Sequence, residues 1–401
     1  MNIKNHPVWE QITPYATKVA PFKKPFHLAR IYLAKAYAKL YPRSLFIGVT
    51  GSVGKTTTVL ACKLVLSQKN PVLSTEPNLD PIFNIPSTLL SLRPKFKKVI
   101  LEMGVEYLGE MDFYLSLVAP KTAIITSIAY QHSEFLGGLQ EISKEKGKLI
   151  DALPSDGLAI LNYDDINVRK LAENFKGELI FIGKDPEYCQ VWASNIRIEN
   201  FVTCFELNCG VERVKVEYPL LGEHQIYSAL NAAALGLSEG MNLINIKNAL
   251  EKMRPPEHRL EALPGFGGSI ILDDTYNGSP VSFEAGLDAL QQISARRRIV
   301  VLGEMRELGH LSKQMHQKIA QIIFKNRVDL VFLGTGDANI IAEELKGLGF
   351  LPEKMETNLQ NPQIVSKLLK VLSKGDVCLI KGARGVRLDE VVKKLTKKTY
   401  D

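Results

Sequence analysis

Residues 45–58 read LFIGVTGSVGKTTT. An apolar run enters a glycine-rich turn, and a lysine and three threonines follow. This is the pattern of a phosphate-binding loop set between a buried strand and a helix. Gly51 and Gly54 let main-chain N–H groups converge on anionic oxygens at the helix N-terminus. Thr50, Ser52 and Thr57 complete the loop, Lys55 can reach the β/γ-phosphates, and the Thr56 hydroxyl suits a Mg²⁺ ligand. The general G-x4-G-K-[ST] pattern is met in a narrower form, Thr50-Gly51-x-x-Gly54-Lys55-Thr56, because Val49 stands five positions before Gly54. The chain is expected to bind a nucleoside triphosphate.

Strand and helix alternate after the loop. KKVILEMGV reads as a buried strand ending in Glu102, TAIITSI as another before Tyr130-Gln131-His132, and LAILNYDD as a third ending at Asn162. Between 176 and 218, four short strand-like runs suggest a small antiparallel sheet. Two helices precede Pro255-Pro256, which breaks the chain like an interdomain linker. From about residue 259, SIILDD, RRIVVLGEM, LVFLGTG and DVCLIKG alternate with amphipathic helices, which indicates a second, doubly wound parallel sheet. The expected architecture is α/β. A short basic helical extension (1–43) would precede a P-loop ATPase unit with a mostly parallel sheet (44–256), and a C-terminal Rossmann-like unit (257–401) would follow.

Charge narrows the partners. The net charge is +7, and residues 1–43 alone contain eight Lys or Arg against Glu10, 8 − 1 = +7, so the remainder sums to zero. A nucleic-acid-binding enzyme carries its basic surface on the folded body, so nucleic acid is not expected as a partner. Residues 26–41 have helical spacing, with Leu33, Ala36, Tyr37 and Leu40 on one face and Lys35 and Lys39 on another. Such a helix could lie on an anionic membrane surface, or pack on the ATPase unit with its charges solvated. Five scattered cysteines favour neither a disulfide framework nor a four-cysteine zinc site. No signal peptide or spanning run is read, so the expected compartment is the cytoplasm.

A metal centre is a candidate feature near the loop. Mg²⁺ prefers hard oxygens, and Glu102 ends a strand that could neighbour the loop strand. Taken singly, Glu102 could be an ordinary strand-end carboxylate, His132 a loop residue, and Lys146 one of many solvated helix lysines.

Together these residues resemble the Mur ligase superfamily, ATP-dependent carboxylate–amine ligases of cell-wall peptide synthesis. The resemblance runs from about Leu45 to the C-terminus. It is carried by TGSVGKT (50–56), LEMG (101–104), His132 with Glu134, Lys146 14 residues further on, GEHQIYSALNAAA (222–234), HRLE (258–261), DDTYNGSP (273–280), GEMRELG (303–309) and KGAR (381–384). DDTYN followed by GEMRELG is most similar to the MurF branch, whose members add D-alanyl-D-alanine to a UDP-N-acetylmuramoyl-tripeptide in peptidoglycan precursor synthesis.

The resemblance implies roles. Lys55 would hold the β/γ-phosphates, Thr56 and Glu102 a first Mg²⁺, and His132 a second. Lys146 matches the lysine that the family carbamylates, which turns a cation into a two-oxygen anion; this requires a depressed pKa, since a free lysine titrates near about 10.4. Arg259, Asp274 and Tyr276 would reach ATP from the C-terminal unit, Ser228 falls in the adenine-side motif, and Asn277, Lys381 and Arg384 lie near the amine substrate. ATP would phosphorylate the peptide carboxylate and a free amine would attack the acyl phosphate. The substrates would be a peptide or nucleotide-sugar peptide and an amino acid or dipeptide, handled by a monomer.

Two departures stand out. Family members read G-x-H-N-x-x-N where this chain has Gly222-x-His224-Gln225-x-x-Ser228. MurF enzymes also carry an N-terminal UDP-binding domain, and about 43 residues are too few for one. The alternatives are a Mur-type ligase on another substrate (a pseudomurein-like peptide, a lipid-linked precursor or a polyglutamyl chain) and a non-catalytic ATP-binding partner subunit.

Overall fold

The computed structural model describes residues 3–9 and 23–396. β1 (Phe46–Thr50), β2 (Val72–Ser74), β3 (Lys98–Glu102), β4 (Thr122–Ile125), β5 (Leu158–Asn162), β6 (Glu178–Gly183), β7 (Val191–Glu199), β8 (Val202–Cys209) and β9 (Glu212–Tyr218) form one sheet. Its order is β2-β3-β1-β4-β5-β6-β7-β8-β9. Pairing is parallel from β2 to β7 and antiparallel from β7 to β9.

Alternation along the central strands splits the core into two layers. Ile47, Val49, Ile100, Ile124 and Ile160 meet one cluster, which includes residues of helices Lys55–Leu66 and Ile226–Ser238. Phe46, Val99, Leu101, Ile125 and Leu161 meet the other, with helices Pro81–Leu90, Glu110–Leu117 and Leu139–Asp151. β1 is buried throughout, as a strand covered on both faces must be.

The second sheet holds β10 (Glu261–Pro264), β11 (Ile270–Asp274), β12 (Arg297–Leu302), β13 (Leu330–Gly334), β14 (Met355–Leu359) and β15 (Asp376–Lys381), in the order β10-β11-β15-β12-β13-β14. Only β10 is antiparallel. The α/β class is as expected, but the antiparallel strands do not form a separate sheet. They extend the first one, because β6, read as part of the small sheet, pairs parallel with β5 and carries the edge onward to β7.

The N-terminal helix spans Lys24–Ala38, and its buried face is Ile31, Ala34 and Ala38. Of the apolar face read from the sequence, Leu33 and Leu40 are 62% and 75% exposed and Tyr37 is half-buried. Small Ala34 and Ala38 face the packed side, and the Tyr37 hydroxyl donates to the Leu92 carbonyl at 2.9 Å. Both sides of this helix are apolar, so periodicity alone could not choose between them. Residues 10–22 of the expected extension lie outside the described residues. Residues 3–9 dock on the first sheet's unit through buried Val8 and Trp9 and a 2.8 Å His6–Glu110 pair. Among the described residues, no helix is long and apolar enough to cross a membrane.

Candidate active site

β1 delivers the chain to Gly51, at φ +147°, and then to Gly54 at φ +82°. A Cβ on Gly51 would lie 2.0 Å from Thr126 Oγ1, so close approach as well as backbone angle demands glycine. The segment after β4 laces the loop from outside. Ser52 N donates to the Ser127 carbonyl at 2.8 Å and Val53 N to Ser127 Oγ at 3.0 Å. The Ser52 hydroxyl donates to the Ala129 carbonyl at 2.8 Å. Lys55 folds back over its own loop and donates to the carbonyls of Gly51 (2.9 Å) and Ser52 (3.2 Å). Burial lowers its pKa, and the Glu102 carboxylate opposes that shift.

β3 runs beside β1 with Glu102 opposite Val49, which brings that carboxylate to the start of the loop helix. The Thr56 hydroxyl lies 2.9 and 3.1 Å from the two Glu102 oxygens. Arg259, from the second unit, donates to Thr56 Oγ1 at 3.2 Å and stacks 4.2 Å over Tyr276. Arg384 faces the same ring at 5.3 Å. Arg259 is aimed by its neighbour: His258, in the left-handed region, pairs with Asp273 at 2.8 Å and accepts Tyr276 N at its carbonyl. Burial would lower the His258 pKa, and the Asp273 hydrogen bond and charge more than offset it.

Lys146 is 1% exposed, and its ammonium nitrogen lies 3.2 Å from the Gly51 carbonyl. Burial, then the charge of Lys55, push its pKa well below the ordinary lysine value. The solvated-lysine reading therefore fails: a helix residue that sequence physics would leave in water ends at the phosphate loop.

His132 sits elsewhere in the cleft. Its Nδ1 bonds Glu307 of the second unit in a short contact, and Glu134 N donates to the Glu307 carbonyl at 3.1 Å. No hydrogen bond joins His132 to Thr56, Glu102 or Lys146 among the described residues. Among those residues, also, no three His, Cys, Asp or Glu side chains gather as a metal-holding group. The hard-oxygen pair at the loop is Thr56 with Glu102.

In the second unit, Lys381 is 1% exposed and pairs with Asp274 at 2.5 Å, and it also donates to the Asn277 carbonyl at 3.1 Å. Asn277 Oδ1 accepts Gly278 N at 2.6 Å. Burial pushes nearby His224 down to about 4, within the fields of Asp274 and Lys381. Ser228 is turned into the core, its hydroxyl shared between Tyr218 (2.9 Å) and the Gln225 carbonyl (2.8 Å). Thr57 is buried in the first turn of its helix.

Sequence reasoning missed Glu106 and Glu307. Glu106 has its pKa raised by burial and lies within the fields of His132, Glu307 and Lys55. It stands four residues after Glu102, one position beyond the strand run that ends at Val105, whereas Glu307 lies inside the marked GEMRELG. Thr126 and Ser127, which brace the loop, carry no signal of their own.

A glycine loop at a helix N-terminus, Lys55, Arg259 and a hydroxyl–carboxylate pair together suit a polyphosphate with a hard cation. Comparison with known proteins agrees as to the nucleotide. Residues 49–236 match the Mur ligase middle domain and residues 258–384 the Mur ligase glutamate ligase domain. The UDP-N-acetylmuramoyl-tripeptide–D-alanyl-D-alanine ligase of Haemophilus influenzae is 30% identical over 366 residues, 90% of this chain and 78% of that protein. The enzyme of the same name from Escherichia coli is 29% identical, over 87% of this chain and 76% of that one. The crystal structure of MurF from Acinetobacter baumannii superposes with TM-score 0.83 at 26% identity, covering 93% of this chain and 81% of that one. MurF from Thermotoga maritima with ADP shares the fold, with TM-score 0.81 at 22% identity, over 96% and 86% of the two chains. Matched along both units, the chain belongs to the Mur ligase family of ATP-dependent peptide ligases, on its MurF-like branch.

Proposed function

We propose that this chain joins the terminal carboxylate of a UDP-N-acetylmuramoyl-tripeptide to the amine of D-alanyl-D-alanine in peptidoglycan precursor synthesis. The observation that carries the site is the convergence of Lys55, Lys146, Thr56–Glu102 and Arg259 on one loop, with Arg259 reaching across from the other unit. Residues 44–256 then hold the nucleotide, residues 257–401 bring the amine, and residues 1–43 are an extension. The two separate sheets support that division.

ATP is the phosphoryl donor. A carboxylate oxygen attacks the γ-phosphorus and ADP leaves. The amine then attacks the acyl carbon, and the tetrahedral adduct loses a proton and expels phosphate. Lys55 offsets charge on the transferring group, and Arg259 orients the phosphates while stacked on Tyr276. Thr50, Gly51, Ser52, Gly54 and Thr57 shape the phosphate cradle, Asp274 and Ser228 serve the nucleoside side, and Asn277, Lys381 and Arg384 the amine. For Asp274 and Ser228 this requires release from Lys381 and from Tyr218.

Thr56 and Glu102 fit a Mg²⁺ ion by the chemistry of their oxygens, and His132 with carbamylated Lys146 would hold a second. Bound there, the ions would neutralise phosphate charge that the lysines leave uncompensated. Carbamylation needs a neutral amine, and the burial of Lys146 favours that form. The amine adds to CO₂ and loses a proton, giving the anion. The reading takes the chain to act as a monomer in the cytoplasm, where ATP is supplied.

Phosphate release from ATP, screened with UDP-muramoyl peptides against amino acids and dipeptides, tests the substrates. Turnover is expected with the tripeptide and D-alanyl-D-alanine together; turnover only with another pair overturns the assignment. NMR with ¹³C-bicarbonate should show a carbamate carbon that Lys146→Arg lacks. An unchanged spectrum in that variant removes the modification.

A further inference from the structure

The helix Lys24–Ala38 is apolar on two opposite sides. Ile31, Ala34 and Ala38 face the protein. Outward, Phe26, Ala29, Leu33 and Ala36, followed by Leu40 in the turn after the helix, recur at spacings of three and four, and all five are exposed. Phe26 is 76% exposed, and Tyr32 lies beside the stripe. Among the described residues, no other helix exposes more than one large apolar side chain. An apolar stripe of this kind along one helix marks a contact face, whereas apolar side chains exposed singly elsewhere do not.

Charge selects what it contacts. Residues 23–43 contain Lys23, Lys24, Arg30, Lys35, Lys39 and Arg43 and no Asp or Glu. At about 3.6 residues per turn, Lys39 borders the stripe on one side, with Lys35 further round toward the packed face, and Lys23 and Arg30 border it on the other, Arg30 also donating to the Phe83 carbonyl. A second copy of this face would set these cations against their own kind with no carboxylate to answer them. An anionic lipid surface accepts both features, since apolar tips enter the headgroup–acyl boundary while lysine stems extend to the phosphates. The net charge of residues 44–401 is zero, so the attraction is concentrated at this end.

We infer that this helix lies in the plane of an anionic bilayer surface, with Phe26, Leu33 and Leu40 inserted and Lys35 and Lys39 at the headgroups. The inference is independent of the ligase assignment, because none of these residues touches the phosphate loop.

Flotation of the full chain with phosphatidylcholine vesicles, with or without phosphatidylglycerol, tests it. Flotation is expected only with the anionic lipid and should fall with salt. Lys35→Glu with Lys39→Glu should weaken it about tenfold or more. Phe26→Ser with Leu33→Ser should abolish it at an unchanged thermal midpoint. Leu33→Trp reports insertion directly: its emission should shift blue and be quenched by brominated lipid. No flotation, or equal flotation of all variants, overturns the inference. So does a concentration-dependent dimer lost in Leu33→Ser without vesicle binding.

Discussion

Among the described residues, each half of the molecule buries one lysine completely, and the two are held in opposite ways. Lys381 lies 2.5 Å from the Asp274 carboxylate and also donates to a main-chain carbonyl. Lys146 has a carbonyl at 3.2 Å and a second cation, Lys55, in its field. Burial lowers both, and at Lys381 the Asp274 charge and hydrogen bond oppose it. One lysine sits, in this structure, inside an ion pair that favours its charged form. The other is built to lose its proton beside a loop made for phosphates, a state suited to chemistry rather than to holding the fold together.

The largest effect expected from this difference is on turnover. Lys146→Ala should lower kcat by about three orders of magnitude, and a short-chain carboxylic acid should restore part of it by supplying the missing anion. Undiminished activity in Lys146→Ala would break the comparison. Next comes stability. Lys381→Met leaves Asp274 without its cation and should cost about 3 kcal/mol in urea unfolding. Lys55→Ala should reduce nucleotide-dependent turnover about a hundredfold, because its charge matters most as charge shifts in phosphoryl transfer. Normal turnover would take the loop out of the site. The smallest effect sharpens the contrast. Lys146→Met removes a buried amine that lacks a carboxylate partner, so its unfolding free energy should change by less than about 1 kcal/mol. Equal destabilisation by the two methionine variants would mean that the lysines are held alike.

Much of the site was legible because it is local or follows from strand order. The loop runs from Thr50 to Thr57, and Glu102 met it because β3 pairs directly with β1. Arg259 followed from the resemblance and is delivered by His258 and Tyr276. Other features were hidden. Glu307 meets His132 across 175 residues, and no spacing rule reaches that far. The short β10 and β14 gave no apolar run long enough to register, since β14 is half exposed and β10 is a four-residue edge. The hairpins of β7–β9 looked like a separate sheet because strand patterning does not say which edge a strand joins.

Backbone preference and short motifs determined the phosphate loop, the two α/β units and the family, since glycine torsions and side-chain alternation act over a few residues. Only the tertiary structure decided what buries Lys146 beside the Gly51 carbonyl and within the field of Lys55, and that the N-terminal helix turns Ile31 inward and Leu33 outward. Desolvation and the fields of distant partners act through space, so neither can be read from neighbours along the chain.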